Sequence, residues 1–233
     1  MTQKCQQCGK ISSGNFCSNC GQSLTIKRLT ISAIMHEVFH LFTHLDKGFP
    51  YTLKKLAVTP GKMQKEYIVG HRSRYQKPFS MVFICGTLTA FALFVIHKHT
   101  GSISHFEEVK TDFTRHYYVL VQLGLLPFYS LVTWLLFRNN KINYAESLVL
   151  FSYALSFMLL LVILTNLTDL LPNKNISSGY YEIPILFVYL LWTNVNFFSA
   201  EPKWRLTAKT VVHIFIAYYA SNFLSNLIVN FLL

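Results

Sequence analysis

Residues 147–171 read SLVLFSYALSFMLLLVILTNLTDLL. The stretch holds no Lys, Arg or Glu, and its one acid, Asp169, sits close to the end. At about 1.5 Å per residue, a helix of this length covers a hydrocarbon core of about 30 Å. Its apolar residues are continuous rather than alternating and are rich in Leu, which favours a helix over a strand. Outward from it, four more apolar runs follow the same rule: Phe79–Ile96, Tyr117–Phe137, Ile183–Ala200 and Ala208–Leu233. The run from Ile183 is the shortest. The expectation is an all-α membrane protein with about five transmembrane helices.

Composition agrees. Of 233 residues, 52% are hydrophobic, 20 are Phe and 13% are charged, where water-soluble domains carry about 25% charge. The net charge of +11 would suggest nucleic acid on a soluble domain. Here 12 of the 21 Lys and Arg fall in residues 1–78, ahead of the first span. That placement points to membrane orientation and anionic headgroups, with Arg72, Arg74 and Lys77 at the lipid surface and no nucleic acid partner. With five spans, 17 of the 21 basic residues lie on the N-terminal side and four on the other. The N-terminus is therefore expected in the cytoplasm and Leu233 on the outer side. The start of the chain has no apolar core of a cleavable signal, so the first span is expected to serve as its own insertion signal.

Residues 1–24 form a distinct head. Cys5-Gln6-Gln7-Cys8-Gly9 and Cys17-Ser18-Asn19-Cys20-Gly21 are two C-x-x-C-G knuckles. Each lets one turn aim two thiolates at one ion, and together they make a closed tetrahedral site suited to structural Zn²⁺. Twenty residues bury too little to fold unaided, so metal binding is expected to drive their folding. Disulfides or a redox pair are the alternatives, and a reducing cytoplasm disfavours both. Ser12-Ser13-Gly14-Asn15 suits the tip of the connecting hairpin. Cys85, alone inside the first span, reads as a small buried hydrophobe.

Residues 25–78 link head and spans. Ile31, Ile34, Met35, Val38, Leu41, Phe42 and Leu45 share one helical face. Thr59, Pro60 and Gly70 mark the start and stop of a further short helix. These are expected to lie on the membrane surface or against the bundle, residues 79–233. The same stretch holds His36-Glu37-Val38-Phe39-His40, an H-e-x-x-H pattern that would suit a membrane metalloprotease. Its histidines, with His44, project opposite the apolar face, as polar residues of an interfacial helix do. In the last span, Asn222, Asn226 and Asn230 run beside Ala217, Ser221 and Ser225. Helix packing is the expected use, and a polar path for a transported solute is the alternative.

The N-terminal third resembles an uncharacterised family of bacterial multi-pass inner-membrane proteins with a short zinc-ribbon head. The resemblance rests on Cys5 to Gln22, on His44-Leu45-Asp46-Lys47-Gly48-Phe49, Thr52-Leu53 and Pro60-Gly61, and on Tyr67-Ile68-Val69-Gly70-His71-Arg72 and Tyr75 to Pro78. His71 stands where the family pattern has Lys. The resemblance implies a plasma-membrane protein without an established activity and transfers no catalytic residue. The leading expectation is a non-enzymatic membrane protein whose zinc head docks a protein partner or stabilises the linker.

Overall fold

The structure is a computed structural model that describes residues 2–25, 28–31, 48–100, 117–171 and 179–232. The histidine motif His36, Glu37 and His40, with His44 and most of the first amphipathic helix, lies outside the described residues.

Strands β1 (Thr2–Lys4) and β2 (Ile11–Ser13) pair antiparallel, with Gln3 opposite Ser12. Helices α1 (Phe49–Val58) and α2 (Pro60–Val69) each carry a proline in the first turn, where its missing N–H costs nothing. Gly70, at φ 127°, ends α2, and the Gly70 and His71 N–H groups both donate to the Glu66 carbonyl. The expected start and stop at Thr59, Pro60 and Gly70 are thus where the helix begins and ends, although Thr59 makes no side-chain cap.

The bundle follows as α3 (Pro78–Thr100), α4 (Tyr118–Phe137), α5 (Tyr144–Leu167), α6 (Gly179–Phe197) and α7 (Lys203–Leu232). Helix α5 is the centre. Being apolar all round, it buries every residue from Ala145 to Ser156 against α3, α4, α6 and the α1–α2 pair. Its start is fixed by a capping box: Asn143 accepts from Glu146 N–H, and Glu146 accepts from Asn143 N–H. Along the bundle, hydroxyls return to their own helix four residues back, as from Ser152 to Leu148, Ser156 to Ser152 and Ser130 to Leu126. Where no water competes, that is the nearest acceptor.

Among the described residues four helices are long and apolar enough to cross a membrane: Pro78–His99, Tyr118–Asn140, Tyr144–Leu170 and Lys203–Ile228. Helix α6, expected as the fourth of five spans, falls short of that measure because Glu182, Pro184, Asn194 and Asn196 dilute its apolar run. It nonetheless reaches both ends of the bundle. At one end Glu182 accepts from Tyr118 of α4 and Asn166 of α5, at 3.5 and 3.3 Å. At the other, Asn194 donates to Thr210 of α7 at 2.9 Å, and Phe198 stacks on Phe137 at 4.1 Å.

The α1–α2 pair is built into the bundle. Gly61 of α2 lies against the α6 backbone: a Cβ there would sit 2.2 Å from the Thr193 carbonyl oxygen and 2.4 Å from Phe197 N. Gly48, before α1, would clash in the same way with the backbone of residues 74–76. Thr52 Oγ1 accepts from Gln76 N–H at 2.8 Å, and Tyr153 of α5 donates to the Gln76 carbonyl at 2.5 Å. Tyr67 packs edge-on against both Tyr75 and Tyr153. Tyr75 in turn donates to Glu66 at 2.6 Å, and burial, with that carboxylate beside it, holds its phenol above the usual range.

Candidate metal centre and its dock

The two knuckles fold alike. Cys5 N–H donates to the Lys10 carbonyl and Gly9 N–H to the Cys5 carbonyl; Cys17 and Gly21 repeat this with Gln22 and Cys17. Gly9 and Gly21 sit at φ 77° and 70°, the left-handed turn that glycine takes without strain. Ser12 and Ser13, expected at a hairpin tip, belong to β2 instead, and the strand brings Ser12 beside Cys17.

All four sulfurs converge. Cys5 and Cys20 are 3.6 Å apart, Cys8 and Cys17 3.6 Å, and the four ligand atoms lie within 4.8 Å of one another. A disulfide would bring a pair to about 2.05 Å. The thiols are free. A tetrahedral ion with metal–sulfur bonds of about 2.3 Å separates its ligands by about 3.8 Å, so the spacing fits a four-sulfur metal site. The Ser12 hydroxyl, donating at 3.5 Å with help from the Asn19 and Cys20 amides, holds the Cys17 thiol down at about 6. Cys8 is lowered too, first by the Lys10 amide. At Cys20 the Gln22 amide lowers the value, but burial and the three neighbouring thiols push it up to about 12. Donors thus favour the first thiolates while crowding retains the last proton, which a cation among the sulfurs would displace.

The head is docked on the turn after α2. Gln22, buried, donates to the Gly70 carbonyl at 3.0 Å and accepts from Ser73 N–H at 2.9 Å and Arg72 N–H at 3.3 Å. His71 Nε2 donates to the Gln6 carbonyl at 2.9 Å. A neutral ring does this as well as a charged one. Arg72 turns back over the Tyr67 ring, 5.7 Å from its centroid, whereas Arg74 and Lys77 are exposed. A second strap lies nearby. Arg28 Nε donates to Glu146 at 2.7 Å, its Nη2 to the same carboxylate at 3.1 Å, and Asn143 donates to the Leu29 carbonyl.

Sequence reading found the four cysteines. It missed Gln22, whose side chain matters only because the 70–73 turn lies beside it, and Arg28, whose partner is 118 residues away. Among the described residues the hydrogen bonds of the asparagines do not converge. Asn194 crosses to Thr210, Asn166 reaches Glu182, Asn196 and Asn222 bond their own helices, and the side chain of Asn230 lies outside the described residues.

These features define a predominantly helical, membrane-type protein with an N-terminal four-cysteine cluster that could bind a metal. A family model described as "Protein of unknown function (DUF3667)" matches residues 46–90, which cover α1, α2, the 70–76 turn and the first half of α3. No curated protein and no solved structure matches the chain.

Proposed function

We propose that the head is a structural zinc module that clamps the α1–α2 pair to a five-span bundle in the plasma membrane, with the head in the cytoplasm and no catalytic role. Cys5, Cys8, Cys17 and Cys20 would hold Zn²⁺ as four thiolates, leaving no ligand position open for chemistry. The observation that carries the reading is Gln22. It stands two residues after the last thiol and meets three backbone groups of the 70–73 turn. Metal binding would order the knuckle that presents it. Helix α6 is counted as a span, the fourth of five, because it meets its neighbours at both ends of the bundle. The charge asymmetry sets the orientation. Arg74 and Lys77, exposed just before α3, would meet anionic headgroups.

Ile11 and Phe16 favour a second use of the same module. They are 69% and 65% exposed on the head and would offer apolar contacts to a protein partner.

Metal analysis of the purified protein is expected to give one zinc per chain, and none in Cys5→Ser/Cys8→Ser. Membrane insertion should be unchanged, while trypsin should cut faster after Arg72 and Arg74 once the clamp is lost. Full zinc retention in the double variant would end the ligand assignment; unchanged cleavage would end the clamp.

A further inference from the structure

A cavity of about 300 Å³ lies between α4, α5, α6 and α7, at the small end of the roughly 300–1,000 Å³ range of ligand pockets. Along α7 it runs from His213 to Ser225, roughly 18 Å at 1.5 Å per residue. So little volume over that length makes a narrow slot rather than a chamber. Its walls are mostly apolar, with Phe151, Leu155, Leu186 and Ile214 among them.

Three features say what would fit. The rim opens sideways, between Ile183 of α6 and Tyr218 of α7, which are 45% and 50% exposed. In a membrane that direction leads to lipid. Among the described residues of the lining Glu182 is the one carboxylate, and none is a Lys or Arg. Towards the other end, His213 is 1% exposed, its Nδ1 faces Thr133 at 3.5 Å, and its buried Nε2 has no hydrogen-bond partner. Between the two, Gln122 donates to Ser221 and accepts from Tyr129 at 3.1 and 2.8 Å, which fixes a polar wall.

We propose that this slot is a binding site for a membrane-borne, single-chain amphiphile with a cationic head. The hydrocarbon chain lies along α7 and the ammonium group pairs with Glu182. An anionic head would meet the carboxylate unfavourably, and a rim between α6 and α7 suits a ligand that arrives from the bilayer.

The test uses full-length purified protein and a photoreactive twelve-carbon alkylamine, with labelled peptides mapped by mass spectrometry. Label is expected on the α6 and α7 peptides containing Leu186 and Ala217. Dodecylamine should suppress it, and dodecanoate should need at least tenfold more. Glu182→Gln is expected to erase that head preference while leaving suppression by dodecanol unchanged. Ala217→Trp, which fills the slot, should remove the label from both peptides. Label spread evenly over the outward faces of α3 and α7, equal suppression by amine and carboxylate, or a preference that survives in Glu182→Gln overturns the proposal. The Gln variant changes no volume, so the test stands even if the Trp variant misfolds.

Discussion

Around the 70–76 turn, hydrogen bonds join residues far apart in sequence: Gln22 to Gly70 and Ser73, Thr52 to Gln76, Tyr153 to Gln76. Along α3, α4 and α5 most Ser and Thr hydroxyls bond a carbonyl of the same helix, and Thr89 reaches Leu159 of α5 as well. The spans are made apolar enough for lipid, and that property says little about which helix lies beside which. Register is fixed instead by contacts between helices, with Glu182, Tyr118 and Asn166 at one end of the bundle and the glycine contacts and polar latches about the 70–76 turn at the other. The family match falls on that end, residues 46–90.

The contrast can be broken most severely at Gly61. Gly61→Leu would force α2 away from the α6 backbone, with Thr193 O and Phe197 N already 2.2 and 2.4 Å from a Cβ. The expected cost is about 3 kcal/mol, a fall in thermal midpoint of about 6–12 °C. Phe91→Leu, on the outward face of α3 at 68% exposure, should leave the midpoint in detergent almost unchanged. Equal effects would mean that the latched end holds no special place.

A smaller effect is expected from Gln22→Ala. It strips three backbone groups of one partner and should cost about 1–3 kcal/mol. Hydrogen exchange at the Ser73 amide is the sensitive readout, and an unchanged rate would remove Gln22 from the clamp.

The smallest effect belongs to Glu201, between α6 and α7. Burial alone would raise its pKa, but Lys209 at 2.7 and 2.8 Å and the Asn140 amide at 2.6 Å hold it below the usual carboxylate range. A depressed carboxyl contributes stability that is present above its unfolded value, about 4.3, and is lost as pH falls through the lower folded value. The midpoint difference between the wild type and Glu201→Gln should therefore shrink as pH drops from about 5 towards 3. Its size at pH 7 should stay under about 1 kcal/mol, as for partly solvated ion pairs. A difference that grows on acidification would reverse the sign and the assignment.

Much of the molecule was legible because its signals are local. A 25-residue apolar run needs no partner to be a membrane helix, and a C-x-x-C-G turn aims its two sulfurs by its own backbone. Pro60 and Gly70 bound α2 by dihedral preference alone. Helix α6 read less clearly: Glu182, Asn166 and Tyr118 come from three helices, and none of them signals the other two.

The sequence by itself determined that the chain is helical, that it prefers lipid and that four thiols gather near its start, since each follows from transfer energy or chain geometry over a few residues. Only the tertiary structure decided that α5 is central, that Gly61 is an interhelical contact and that Gln22 holds the 70–73 turn. Those depend on which surfaces meet, and contacts across 48 or 118 residues leave no trace in local pattern.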